Sequence, residues 1–417
     1  MRQTKMVRVC DAIMGSGKTS ATIGYINAHP EKKFLYITPY LPEAERIKNN
    51  CPQADFVEPS DRLPEYFFSK AMHTLGLIRQ GRNITSTHQC LMYYTPETIQ
   101  LLKENGYCII IDEEVTVLQA DKQIAYSDIQ LAIDAGYVYE AAPDEYRRTD
   151  KPYEGGVFSH MFRLMASRPL VYNKSKQNGN VWYWLFSKEL LEAVEDVFVL
   201  TYLFKNSEMD LFMQINNIPY VNIGIRRTEG GGYIFSDKPE YVPDYVYRLK
   251  DMIHIDDGQR INSIGDMKHA LSMNWYKSKT DGVNQVRRNL MNYFQKRSGD
   301  IPVPERMCGT YKEYWGRIRG KGYWNSSVVF NAKATNQFSH CRALAYPINL
   351  FANGDIVHYY ASKGVIFDND HYALSTMIQW IWRSAIRNGE EINLYLPSKR
   401  MRDLLTEWIE KTSKGIS

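Results

Sequence analysis

Apolar and polar positions fall in blocks along this chain. In the first half, residues 6–10, 33–38, 83–88, 107–111 and 197–201 form short runs rich in apolar and β-branched residues, and polar residues close each run. Runs without strict alternation mark strands buried on both faces, as in parallel sheets. Stretches with helical spacing lie between them: the segment from Lys18 through Ile26, then 41–50, 65–77 and 96–105. Strand and helix taking turns predicts a doubly wound α/β sheet, whose ligands gather at the C-terminal strand ends. Thr38-Pro39, Thr87-His88 and Asp112-Glu113 would share that edge with the loop at Gly15.

Beyond residue 120 the blocks loosen. Residues 127–136 and 188–194 carry helical spacing, 155–167 read as a loop and a helix, and the turn-rich 173–180 predicts a hairpin between 169–172 and 181–186. The segment 219–232, with Arg226-Arg227 and Gly230-Gly231-Gly232, reads as a linker or domain junction. A second strand–helix set follows, with strands at 327–331, 355–360 and 392–396 and helices at 280–296, 372–388 and 401–411. The pattern divides the chain into domains at 1–218 and 219–417.

The loop between the first strand and the first helix carries the clearest chemistry: Ala12-Ile13-Met14-Gly15-Ser16-Gly17-Lys18-Thr19-Ser20. Glycines lack the Cβ that would keep backbone N–H groups away from phosphate oxygens, and the helix that follows adds unpaired N–H groups and the positive end of its dipole. This is a P-loop with Ala12 in place of the usual first glycine. Gly15, Ser16, Gly17, Lys18, Thr19 and Ser20 would hold nucleotide phosphates, with Lys18 on the β/γ-phosphates and the Thr19 hydroxyl on Mg²⁺. Asp112 suits the metal, through water, and Glu113 suits the attacking water. On a single helix over 372–388, Gln379, Arg383 and Arg387 would be spaced four apart and form one polar stripe, with Trp380, Ile381, Trp382 and Ile386 on the other faces. Arginines supplied by a second domain would stabilise charge on a transferring phosphoryl and make hydrolysis depend on domain closure.

Composition narrows the class without adding chemistry. The 417 residues, 44% hydrophobic and 24% charged, suit a globular protein of two or three domains. No apolar run reaches the length of a membrane span, and the N-terminus has no secretory apolar core, so a cytoplasmic protein is expected. Six scattered cysteines without a C-x-x-C pair argue against a zinc site or a disulfide framework. A net charge of +4 permits a polyanionic partner without demanding one.

Together these motifs resemble those of superfamily 2 helicases, DEAD/DEAH-like and of the compact kind that bacteriophages encode. Ala12 to Thr19 resembles motif I, where alanine is the usual first residue, and Thr38-Pro39 resembles motif Ia. Thr87-His88 resembles the third strand-end motif, which touches the nucleic-acid backbone, and Asp112-Glu113-Glu114 resembles motif II. Thr201 stands where motif III couples hydrolysis to domain movement; Thr335-Asn336 resembles motif V, and Gln379 to Arg387 motif VI. Three features depart from the pattern: Asp-Glu-Glu-Val in motif II, arginines four rather than three apart in motif VI, and a single hydroxyl in motif III.

The resemblance implies two tandem RecA-like doubly wound parallel-sheet domains with ATP and Mg²⁺ between them. It implies a helicase or translocase on single-stranded or forked DNA, alongside replication proteins in the host cytoplasm, and the motifs admit RNA as well. Thr38, Pro39, Thr87, His88, Thr335 and Asn336 would face the nucleic acid. The basic, aromatic run 311–324 would add phosphate contacts and a stacking wedge. Two other classes share the P-loop and acidic pair. A terminase-like packaging ATPase would need metal-binding carboxylates in its second half, for which Asp368 and Asp370 are candidates. An origin-binding or loading ATPase would switch on nucleotide without unwinding.

Overall fold

The computed structural model describes residues 6–39, 41–175, 179–194, 196–278, 280–331 and 337–415. The chain divides into two compact units, one of Met1–Tyr241 with Asn353–Phe367, the other of Val242–Ala352 with Asp368–Ser417.

The first unit contains two sheets. In chain order its strands are β1 (Val7–Asp11), β2 (Lys33–Thr38), β3 (Ile84–Thr87), β4 (Tyr107–Asp112), β5 (Leu118–Asp121), β6 (Val138–Ala142), β7 (Glu145–Arg148), β8 (Leu170–Ser175), β9 (Gly179–Leu185), β10 (Asp196–Thr201), β11 (Tyr220–Arg227) and β12 (Tyr233–Ser236). The main sheet runs β12-β11-β1-β10-β4-β2-β3 and is parallel except for β12. Its apolar runs are spent on one core, where Cys10, Phe34, Tyr36, Ile110, Phe198 and Leu200 pack together. Register sets the site: Asp11 pairs with Thr201, and Leu200 with Asp112, so the ends of β1, β10 and β4 lie side by side.

The second sheet, β5-β9-β8-β7-β6, is antiparallel and interrupts the main one between β4 and β10. The expected hairpin is β8–β9, and it carries a separate aromatic core of Phe162, Tyr172, Trp182 and Trp184. Arg168 is buried at the root of this hairpin, where its Nε and Nη2 donate to the carbonyls of Leu185 and Trp184 at 3.0 Å each. Burial pushes its guanidinium down to about 10.

Two sequence expectations fail here. Residues 219–232 are not a linker: β11 pairs with β1 and turns back into β12, which carries the first unit past 218 to Tyr241. Residues 355–360 are not a strand of the second domain. They lie in the helix Gly354–Ser362, whose first turn is capped by the Asn353 side chain accepting from Asp355 N at 3.0 Å. Its buried Ile356, Tyr359 and Tyr360 follow the i, i+3, i+4 spacing of a helix face. That face belongs to the first unit, where Tyr183 donates to Asp355 O at 2.9 Å and Tyr360 donates to Glu208 O at 3.0 Å.

The second unit holds a parallel sheet of β13 (Ile253–Ile255), β14 (Arg306–Thr310), β15 (Ser327–Val329), β16 (Ala343–Ala345) and β17 (Ile392–Tyr395), in the order β13-β17-β16-β14-β15. The helix Lys399–Thr412 closes the chain, with Ser398 as its cap. In the run 311–324, Tyr311, Ile318 and Tyr323 are buried, while Lys312, Arg317, Arg319, Lys321 and Trp324 are exposed.

Candidate active site

The P-loop has the conformation its glycines permit. Gly15 and Gly17 have φ of 78° and 92°, in the left-handed region that a Cβ disfavours. Gly17 begins the helix Lys18–Ala28, and no side chain caps the first N–H groups of that helix. The Lys18 ammonium donates to the carbonyl of Ala12 and, at 3.2 Å, to that of Ile13. Ser16 is buried, and its hydroxyl has no hydrogen-bond partner among the described residues. A curl of positive-φ glycines, an uncapped helix end, an unpartnered hydroxyl and a lysine on its own loop carbonyls fit a chain of phosphates. Thr19 and Ser20 lie half-buried in the first helical turn.

The acidic strand end is joined to this loop through β10. Ala12 N donates to Thr201 O at 3.0 Å, and the Thr201 hydroxyl donates to Glu114 Oε1 at 3.0 Å. Glu113 has φ of 64°, a costly conformation for a non-glycine residue, and its N–H donates to Leu200 O at 2.9 Å. Asp112 accepts from the buried Tyr36 hydroxyl at 2.7 Å. Burial, and next the adjacent Glu113 carboxylate, push the Asp112 carboxyl up to about 7. A nearby cation would draw it back toward the charged form. Asp11 receives the N–H groups of Leu203 and Phe204 at 2.8 and 3.0 Å and so fixes the turn after β10.

The remaining predicted residues are placed less uniformly. Thr38 is fully buried, so its side chain is not presented at the surface. Pro39 and Thr87 both line one groove of the first unit. Thr87 also caps the helix His88–Leu91, accepting from Cys90 N at 3.2 Å, so His88 begins a helix rather than ending a strand. The His88 ring lies 2.9 Å from Asp112 O, braced against the acidic strand end. Thr335 and Asn336 fall outside the described residues.

The single stripe of Gln379, Arg383 and Arg387 does not exist. The helix Asn369–Ile381 ends beneath Trp382, and Arg387 lies in a separate turn of 3₁₀ helix, Ala385–Asn388. The break is held by Ala385 N donating to Cys341 O at 2.9 Å, which pulls the chain off the helix axis. Gln379 is half-buried on the helix, Arg383 is buried and Arg387 is exposed.

Three contributors were invisible as motifs. Tyr36 lies inside an apolar run, and the pairing of Glu114 with Thr201 needs the strand order. Tyr233 lies on β12, with its ring against Gly17. A polar tyrosine at the fourth position of the β2 run (33–38) was the one available signal for Tyr36.

A glycine-bearing loop beside an acidic strand end, on parallel α/β sheets, defines a P-loop α/β fold. The solved structure of S. tokodaii Xpd4 superposes with a TM-score of 0.50 at 12% identity, over 99% of this chain and 94% of that one. The likeness shows the architecture of two tandem RecA-like α/β domains. Residues 247–409 match the family model described as the YonV C-terminal Rossmann-like domain. The SPbeta prophage-derived protein YonV of Bacillus subtilis (strain 168) is 32% identical over 420 residues, which cover 97% of this chain and 98% of that protein. The chain belongs to the YonV family. Among the described residues, no helix is long and apolar enough to cross a membrane.

Proposed function

We propose that the chain is an ATP-driven nucleic-acid motor of the superfamily 2 type, hydrolysing Mg²⁺-ATP to move along or unwind phage or prophage DNA. The observation that carries this reading is the path Ala12–Thr201–Glu114, which ties the phosphate loop to the acidic strand end through two hydrogen bonds. A loop that adjusts at Ala12 must move Thr201 or break its bond, so occupancy of the loop is passed to the strand end.

Gly15 to Ser20 would hold the phosphates through backbone N–H groups, and Lys18 would exchange its loop carbonyls for phosphate oxygens. When bound, Mg²⁺-ATP supplies the anhydride and the charge-neutralising metal. Thr19 and Asp112 would hold that metal, and Glu113 would orient and deprotonate the attacking water. Arg383, Arg387 and Gln379, although not on one helix face, remain the second unit's candidates for stabilising the transferring phosphoryl. The nucleic-acid roles of Thr38, Pro39, Thr87, His88, Thr335 and Asn336 belong to the same proposal. The prophage origin of the relative favours DNA and a host-cell setting.

No observation favours a packaging nuclease. Asp368 is used as a helix cap, accepting from Asp370 N and His371 N at 2.9 and 3.0 Å, and Asp370 pairs with Arg400 at 2.7 Å. The test is ATPase activity with single-stranded DNA, duplex DNA, RNA and no polynucleotide. Turnover that rises with a polynucleotide is expected. Lys18→Ala should lose nucleotide binding, and Glu113→Gln should bind nucleotide without turnover. Full ATPase activity in either variant would remove the site assignment, and indifference to every polynucleotide would leave the loading-ATPase reading in its place.

A further inference from the structure

The groove lined by Pro39 and Thr87 has a feature that no helicase motif covers. Phe67 and Phe68 stand next to each other at its edge, 78% and 63% exposed. Adjacent phenylalanines left this open are costly to keep in water. Both also hold left-handed backbone conformations, with φ of 54° and 52°. Two bulky residues in this region store strain that the surrounding structure must impose.

The structure imposes it firmly. Phe67 N donates to Pro64 O at 2.9 Å and Phe68 N donates to Leu63 O at 3.1 Å, which closes a tight turn. Tyr66, just before the pair, is stacked on His73 with ring centroids 4.6 Å apart. It also lies so close to Gly76 that a Cβ there would come within 2.4 Å of its ring. Ser60 N donates to the His73 ring at 2.9 Å and locks the other side. One aromatic ring is thus pinned inward while its two neighbours are turned outward on a stiff support. A surface that only needed solubility would not maintain this arrangement.

The groove behind the pair encloses about 1030 Å³. That is at or above the upper end of sites for single small ligands, and it suits a segment of a polymer. Its charged lining is three cations, Lys70, Arg148 and Arg163, against one carboxylate, Asp61. Arg163 stands over the Tyr93 ring at 5.7 Å, a platform that keeps its guanidinium extended, while Lys70 keeps a long pair of 3.8 Å with Glu58. Exposed aromatic faces beside spaced cations are the two elements that single strands require: stacking for unpaired bases and neutralisation for phosphates. The floor also carries Leu41, Met72 and Phe162, so it is the excess of cations that favours a polyanionic strand over a protein partner.

We propose that this groove binds a single-stranded nucleic acid, with unpaired bases stacked on Phe67 and Phe68 and phosphates met by Lys70, Arg148 and Arg163. The assignment rests on reading the chain as a nucleic-acid motor, and it adds the surface that would separate paired from unpaired strands. Duplex DNA presents no base faces, so discrimination falls on the phenylalanines, while the cations contribute alike to any sequence.

The experiment is fluorescence anisotropy of the full chain with labelled oligothymidylate, oligouridylate and a duplex of equal length, at two salt concentrations. Wild type is expected to prefer the single strands. The double variant F67A/F68A should lose roughly tenfold or more in single-strand affinity. F67W/F68W should retain it, and F67L/F68L, apolar without a π-face, should not. R163Q should lower the salt slope by about 0.7 while leaving the preference for single strands. Comparison of the two single-stranded oligomers separates DNA from RNA as the occupant. Wild type that binds no oligonucleotide overturns the motor reading itself. Wild type that binds while F67A/F68A or F67L/F68L binds equally well overturns the groove assignment alone and leaves the surface to a protein.

Discussion

Replacing Gly17 with alanine tests how the phosphate loop is held. The new Cβ would lie 2.5, 2.6 and 2.8 Å from three carbons of the Tyr233 ring, closer than real Cβ contacts come. It would also sit on a residue with φ of 92°, where only glycine is unstrained. The left-handed backbone costs about 1–2 kcal/mol for a non-glycine residue. Forcing the ring aside adds about 1–3 kcal/mol, the usual range for an extra carbon in a packed site. Together these give a destabilisation of roughly 2–5 kcal/mol.

The two terms separate in a double-mutant cycle, because Tyr233→Ala removes the clash and leaves the strain. Urea unfolding of wild type, G17A, Y233A and G17A/Y233A, followed by circular dichroism, should give a double variant less destabilised than the sum of its parts by about 1–3 kcal/mol. The shift should fall in the transition of the unit that contains β1 and β12. Additivity within about 0.5 kcal/mol would show that the ring does not press on the loop. A G17A protein as stable as wild type would refute the left-handed geometry as well.

Thr201→Val keeps the side chain's shape and removes its bond to Glu114; urea unfolding should show a loss of about 1–2 kcal/mol, which Thr201→Ser largely restores. Arg168→Met leaves the carbonyls of Trp184 and Leu185 without their donor. A net loss of about 2 kcal/mol is expected, smaller than two lost hydrogen bonds because a buried cation is removed too, and equal stability would show that the clamp is dispensable. Arg387→Ala, at an exposed position, should stay within about 0.5 kcal/mol of wild type in the same assay, whereas the buried Arg383→Ala should lose more than about 1 kcal/mol.

The parallel sheet was legible because its strands are buried on both faces. Residues such as Ile109, Ile110 and Ile111 can then be apolar without alternation, and the run announces itself. The phosphate loop was legible because its backbone needs glycine at fixed offsets. Edge and connecting pieces were not. β11 lies between β1 and the short β12, and its exposed Arg226 and Arg227 made a paired strand look like a linker. The helix Gly354–Ser362 was misread because Tyr359 and Tyr360 suit a strand by propensity, while the cap at Asn353 and the partner surface on the first unit decide for a helix. The stripe at Gln379, Arg383 and Arg387 assumed that apolar spacing continued the helix. Apolar residues from Trp380 to Ile386 continue instead because the chain turns inward, with Ser384 and Ala385 fully buried.

The contacts that a motif cannot carry are the ones that brace the glycine-bearing loop. Tyr233 holds Gly17 from the β12 edge, and Thr201 holds Ala12 from the β10 side. The loop is therefore braced at both ends, by residues more than 180 positions away in sequence. In the proposed function, bracing of this kind would lower the ordering cost of binding. Lys18 would there trade the carbonyls of its own loop for phosphate, and the Ser16 N–H would give up Ile13 O at 3.2 Å. Affinity for phosphates would then be set by the difference between those partners. Any response of the acidic strand end would be set by how stiffly Ala12, Thr201 and Glu114 are connected.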